Sequence, residues 1–532
     1  MIVVATARIR RPSAPARRDA TIGAVGVVIA LVAWEVLARS LEGAFVLAAP
    51  TAVVAAIIDN GPLLGRALAA TGSTALIGFV IGNLAAVLLA ALAAVWPRSE
   101  RTVTGLALIV VCLPLVATAP LLRVLLGAGD GPQIALAALA VYYTTLIPLL
   151  VGLRAVPDTW LDLVRVAGRG TLTALIVVRA RASVPYLAAG LQIAAPAALL
   201  GAMVGEFTGA ERGLGVLTIR ASRDLDVDLT WALATIAAVV SMLAYAIIGA
   251  IGRAASGGQP PTILAAPRIA AGAGRLRRTL TGAVSAVLAT VALWWGGIVL
   301  LNVTPFVART PVDVVGIFAG TRDNGATRDA LFAALGDTAV FVAPGYLAGL
   351  AAGVLLAVLI VLVPGASGAV MPIAVALRSV PIVTTAPLIV LLIGRGAVGA
   401  ITLIAVMVFF PTLVACLHGL RQAPGQALDV MAVYAAAPWR VLLRARIPAM
   451  LPAFFAAARM SVPAAVLAVT VVEWLATGTG IGALMARSAS LSNYDALAGA
   501  VVLVTAVSAL GYAVVGAIET RMLARYAPEQ AS

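Results

Sequence analysis

The chain has 532 residues, is 62% hydrophobic and only 11% charged, and its mean hydropathy is +1.08. Soluble domains are about 45–50% apolar and about 25% charged, so an ordinary soluble fold and a disordered chain are both excluded. All 36 basic residues are arginine, against 22 acids and a net charge of +14. Two cysteines and one histidine exclude a disulfide scaffold and a histidine-rich metal site. Without lysine there is no P-loop for ATP and no Schiff-base chemistry.

In chain order, Arg8, Arg10, Arg11, Arg17 and Arg18 precede an apolar run that passes Trp34 without a small-residue cleavage site. It reads as an uncleaved first span. Stretches of about 20 apolar residues, enough to span a bilayer, lie at 21–38, 71–96, 103–126, 133–153, 186–205 and 229–252. A second set lies at 280–301, 338–363, 370–393, 397–417, 453–472 and 497–518. With the N-terminus in the cytoplasm, most arginines fall on the cytoplasmic side, which predicts an N-in, C-in topology. The positive charge is therefore topological, and no nucleic-acid partner is needed to explain it. Pro50 and Pro311 each predict the start of a short interfacial helix.

The two sets repeat. Pro97 pairs with Pro364, an offset of 267 residues. The same offset pairs Gly78 with Gly345, Gly82 with Gly349, Pro114 with Pro381, and Thr118-Ala-Pro-Leu121 with Thr385-Ala-Pro-Leu388. It also pairs Asp162 with Asp429, Pro185 with Pro452, Glu206 with Glu473, and Gly213-Leu-Gly215 with Gly480-Ile-Gly482. Six spans per half put both halves in the same orientation, related by an axis along the membrane normal, with any pathway between them. The expected fold is an all-α polytopic membrane protein of about 12 transmembrane helices in two parallel six-helix repeats. The division predicted is a cytoplasmic tail (1–20), a first unit (21–253), a linker (254–279), a second unit (280–520) and a cytoplasmic tail (521–532).

Long cytoplasmic loops follow the fourth span of each half, from Arg154 to about Pro185 and from Arg421 to about Pro452. Each contains a helical stretch, Asp158–Gly168 and Gly425–Ala435, and in the second Leu428, Met431 and Tyr434 could share an apolar face. Such a helix either lies on lipid or inserts into a soluble partner. Pro114, Pro120, Pro381 and Pro387, with Thr118 and Thr385 beside them, fall inside spans. They read as structural kinks or as polar, pathway-facing bends. Glu206 and Glu473 close the fifth spans and face either a cavity or the outer surface, and the Gly-x-Gly phrases after them read as turns into an outer gate loop.

Here the sequence resembles a known family. Asp429-Val-Met431, Ala435 and Ala445-Arg-Ile447-Pro448 are similar to the EAA motif of bacterial ABC importer permeases. That motif is an acid-Ala-Ala triplet, a Gly four residues after its last Ala, then I-x-L-P. Here Asp429 stands for the acid, Ala435 for the Gly and Ile447 for the Leu. The first copy has Asp162-Leu-Val164 with Arg165 behind it and keeps Gly168, with Arg181 in place of the motif's Pro. Arg378-Ser-Val-Pro381, Phe409-Phe-Pro411 and Glu473 followed by Gly480-Ile-Gly482 resemble permeases of nitrate, sulfonate and taurine importers. The resemblance covers about residues 45–252 and 306–520. It implies a type I ABC importer-like fold, with two permease units fused in one chain in a bacterial inner membrane. It also implies a pathway for a small solute, two separate cytoplasmic ABC ATPase subunits docked on the EAA helices, and an extracytoplasmic solute-binding protein. ATP and Mg would then sit on the partner ATPase, with no cofactor on this chain and no enzymatic activity of its own. The competing class is an ion-coupled secondary transporter, which would use Glu206, Glu473, Arg378 or Arg459.

Overall fold

The computed structural model describes residues 28–29, 31–40, 47–127, 129–207, 209–256, 275–300, 302–304, 308–320, 325–363, 386, 388–389, 392–394 and 396–526, without the side chains of residues 158, 275–280 and 476. These residues contain helices and no strand. The first half holds α1 (residues 31–40), α2 (Pro50–Asp59), α3 (Gly61–Val95), α4 (Glu100–Cys112), α5 (Leu115–Leu126) and α6 (Gly131–Arg154). It continues with α7 (Asp158–Val166), α8 (Thr171–Glu206), α9 (Leu214–Arg223) and α10 (Val227–Ala255). The second half holds α11 (Arg275–Leu300), α12 (Pro311–Ala319), α13 (Gly325–Leu362) and α14 (Ala397–Arg421). There follow α15 (Gly425–Val433), α16 (Pro438–Leu475), α17 (Gly480–Ser490) and α18 (Tyr494–Tyr526).

Among the described residues nine helices are long and apolar enough to cross a membrane, and ten if the bent pair α4–α5 is one span. The expected span 21–38 lies partly, and 370–393 mostly, outside the described residues. The repeat holds at the level of elements. An offset of 267 carries Asp158–Val166 onto Gly425–Val433 with both ends in register. Pro50 and Pro311 each open a short helix, and a capping box of Thr310 and Asp313 fixes the start of α12.

The repeated glycines let helices approach closely. A Cβ on Gly78 would meet Ala137 Cβ at 2.4 Å, and one on Gly82 would meet Ala138 O at 2.5 Å, so α3 lies directly on α6. Gly345 and Gly349 do the same for α13 on α14, where the nearest atoms are Ile404 Cβ at 2.7 Å and Ala405 O at 2.6 Å. Small residues at i and i+4 are the usual means of close packing between spans. One buried cluster runs through both halves, joining Ala194, Ala198 and Met203 of α8 to Leu403, Ile404 and Val408 of α14 and Val469 of α16. The first helix of the second half lies on the first half: Thr102 Oγ1 of α4 donates to Ser285 Oγ of α11 at 3.0 Å.

Three expectations need correction. The third span is not a kinked helix. It breaks at Leu113–Pro114, and α5 leaves α4 at 100°. Pro114 cannot continue the hydrogen-bond ladder of α4, so it caps a new helix instead. The fifth span does not begin near Pro185, because α8 starts at Thr171 and carries Pro185 and Pro196 inside it. Its counterpart α16 likewise carries Pro452 and Pro463. Neighbouring helices support the freed backbone groups, which is why these prolines do not end a span. Finally, Gly213-Leu-Gly215 and Gly480-Ile-Gly482 are not loop turns; they open the helices α9 and α17.

Candidate functional site

Two short helices, α7 and α15, stand at equivalent places between the fourth and fifth spans of each half. On α7, Trp160, Leu163 and Val166 are exposed to 58%, 70% and 86%, a ridge at i, i+3 and i+6. Asp162 and Arg165 pair beside it at 2.8 Å, both exposed. On α15 the exposed apolar residues are Val430, Val433 and Tyr434. The expected face of Leu428, Met431 and Tyr434 is therefore corrected. Leu428 and Met431 are half-buried, as are their counterparts Leu161 and Val164 or more so, and only Tyr434 is on the open side. A short helix must seat one face on its own chain; α15 is apolar on two faces, so its pattern did not say which.

Both helices end the same way. Gly168 has φ +67° and Ala435 φ +46°. Arg169 N–H donates to Val164 O at 3.1 Å, and Ala436 N–H to Met431 O at 2.9 Å, the six-to-one bond of a Schellman ending. The motif's Gly is thus a left-handed C-terminal residue, and Ala435 holds that conformation at a steric cost. Pro448 follows a π-helical turn, Leu442–Arg446, within α16. The first half has the equivalent turn, Ala174–Arg179, with Arg181 at the proline's place, so the turn does not depend on Pro448.

At the other end of α8 and α16 lie the two acids. Glu206 is 3% exposed and Glu473 is fully buried. Thr71 Oγ1 of α3 donates to Glu206 Oε1 at 2.6 Å, and Gly215 N–H donates to Glu206 Oε2 at 2.6 Å. Leu214 N–H donates in turn to Thr71 Oγ1 at 2.8 Å. In the second half, Gly482 N–H donates to Glu473 Oε2 at 2.8 Å and Ile481 N–H to Thr338 Oγ1 at 2.9 Å. Each carboxylate therefore satisfies orphan donors at the start of α9 or α17, the place where a helix favours negative charge. Both acids are thus buried among the described residues rather than exposed. The glycines are required by contact: a Cβ on Gly213 would lie 2.2 Å from Glu206 Cδ, and one on Gly480 2.1 Å from Glu473 Oε1.

Pro114 caps α5 and Pro120 lies inside it. Thr118 is buried, and its hydroxyl donates to Leu115 O at 2.9 Å. Ala117 belongs to a cluster with Ile481, Met485, Leu497 and Val501 of the second half, so α5 is wedged against α17 and α18. The counterparts Pro381, Thr385 and Pro387, and also Arg378, lie outside the described residues.

Comparison with known proteins adds the family. The model of the binding-protein-dependent transport system inner membrane component matches twice, at residues 82–257 and 345–525. The chain belongs to this family. It is an ABC transporter permease with two units in one chain. A Probable ABC transporter permease protein of Haemophilus influenzae is 31% identical over 42% of this chain and 90% of its own length. The formylaminopyrimidine transport permease protein ThiX of Halalkalibacterium halodurans is 24% identical over 41% of this chain and 86% of its own. The putative aliphatic sulfonates transport permease protein SsuC of Bacillus subtilis is 26% identical over 44% and 83%. Each relative is thus about as long as one unit of this permease.

Not singled out in the sequence were Thr71, whose hydroxyl donates to Glu206, and Thr338, whose hydroxyl accepts from Ile481 N–H at the start of α17. They too are related by the offset of 267, and that match is the signal that could have found them.

Proposed function

We propose that this permease is the whole membrane part of an ATP-driven importer in a bacterial plasma membrane. Both termini face the cytoplasm, and a small solute passes between the two units. Two separate cytoplasmic ATPase subunits dock on α7 and α15 and bind the ATP and Mg²⁺. The chain itself is a transport subunit, not an enzyme, and an extracytoplasmic binding protein delivers the solute. The observation that carries this reading is the pair of repeat-equivalent helices with exposed apolar ridges and identical endings. Relatives named for formylaminopyrimidine and for aliphatic sulfonates support a small organic solute; the resemblance to nitrate, sulfonate and taurine importers supports a small, often anionic one.

The coupling route is α8 and α16. Helix α8 has 36 residues, about 54 Å at 1.5 Å per residue. Its start adjoins the docking helix α7 and its end holds Glu206, which grips α9. A shift of the ATPases at one end is therefore carried to α9 and α17 at the other, opening the units to one side or the other by rocking. Glu206 and Glu473 lend the ion-coupled carrier no support, because each accepts from a backbone N–H at the start of a helix. The test is a Leu163→Glu, Val430→Glu double variant assayed with its ATPase and binding protein. ATP hydrolysis should no longer respond to the loaded binding protein, and uptake should be lost. Normal coupled uptake would refute the docking role.

A further inference from the structure

The repeat supplies an internal control for every residue that differs between the units. In the second unit Arg459, at the middle of α16, places Nη1 3.2 Å from Glu519 Oε2 of α18. Its guanidinium lies 5.1 Å from the ring centroid of Tyr512. The two charged side chains are only 19% and 13% exposed, and Arg459 Nε is buried without a hydrogen-bond partner among the described residues. From the first unit, the Tyr143 hydroxyl of α6 donates to Met460 Sδ at 2.9 Å. The cluster therefore sits on the seam between the units.

At the same places the first unit has Gln192, Ile193, Tyr245 and Gly252, and the second has Phe410 where the first has Tyr143. The same helix pair is built there without an ion pair among the described residues, the Arg253 beside Gln192 being exposed, so the fold does not require the Arg459–Glu519 pair. Glu519 follows directly on the expected span 497–518, so the pair sits toward the cytoplasmic end of the seam, and a buried ion pair is a poor way to gain stability. A seam between related halves can orient a solute that lacks two-fold symmetry only where the halves differ.

We propose that Arg459, Glu519, Tyr512 and Tyr143 form a one-sided recognition station for a net-neutral, planar solute with a hydrogen-bond acceptor beside a donor. The guanidinium donates to the acceptor, Glu519 accepts from the donor, and the tyrosine rings cover the flat face. A simple anion is disfavoured because Glu519 already neutralises Arg459 and repels it. This rests on the pathway lying between the units of an importer.

The test uses the full chain in lipid nanodiscs, with radiolabelled cytosine as the neutral planar probe and nitrate as competitor. Saturable cytosine binding is expected, weakened about tenfold or more by Arg459→Gln and by Glu519→Gln, and unchanged by Gln192→Ala. The Arg459→Gln, Glu519→Gln double variant leaves no buried charge unpaired, and its thermal unfolding checks that folding is preserved. No saturable cytosine binding, binding in both single variants as tight as in the unaltered chain (a structural brace only), or displacement by nitrate would overturn the station. Capture of the ATPase by the same preparations tests the importer reading separately. With the ATPase present and binding indifferent to the variants, the station alone fails.

Discussion

Thr71→Val isolates the grip of α8 on α9. Thr71 is fully buried, and its hydroxyl works twice, donating to Glu206 Oε1 at 2.6 Å and accepting from Leu214 N–H at 2.8 Å. Valine keeps the shape and removes both bonds. A hydrogen bond to a charged group contributes about 1.5–3 kcal/mol, and stranding a buried N–H costs about 1–3 kcal/mol. A combined cost of about 3 kcal/mol, near the lower end of that range, raises the population of locally opened α9 by about a hundredfold. Hydrogen exchange read by mass spectrometry should show that acceleration in residues 210–220. Residues 477–487, the equivalent stretch of the second unit, should be unchanged and serve as the control. Unchanged exchange in 210–220, or equal loosening of both stretches, would refute the argument.

Other substitutions test neighbouring parts of the account. Gly168→Ala should destabilise the end of α7 by about 1 kcal/mol because φ there is positive, whereas Ala435→Gly should be neutral or gain up to about 1 kcal/mol. Thermal unfolding of the purified permease measures both. Gly482→Ala should unseat α17, because its Cβ would fall 2.4 Å from Thr470 O. Limited trypsin digestion should then cut at Arg487, while Gly425→Ala, with nothing within 4 Å, should not change the pattern. A Thr102→Cys, Ser285→Cys pair should form a disulfide on oxidation, because the two hydroxyl oxygens are 3.0 Å apart and both native cysteines are buried. Failure to cross-link would displace α11 from the first unit.

Much of the architecture was legible because the repeat is written in residues that apolar composition does not scatter at random. The offset of 267 found Gly78 and Gly345, and the structure shows why they recur: each lets a helix touch its neighbour. The short helices α7 and α15 were legible from the acid, the following Gly or Ala, and the shared placement. Three things were hidden. Pro185 and Pro452 looked like span boundaries, because a sequence does not reveal whether neighbours will support a helix around a proline. Pro114 looked like a kink and is a break, since the 100° turn depends on α5 finding a bed on α17 and α18. Glu206 and Glu473 looked open to a cavity or to the surface, because a sequence does not show that each accepts from the N–H of a glycine nine residues later, or that Thr71, 135 residues earlier, reaches Glu206.

The central claim is that one chain offers two docking sites to two ATPase subunits. Its most direct test is native mass spectrometry of the complex captured on the tagged permease. The account predicts two ATPase copies per chain, falling to one with either Leu163→Glu or Val430→Glu alone. A complex without ATPase, or two copies retained in both variants, would contradict it.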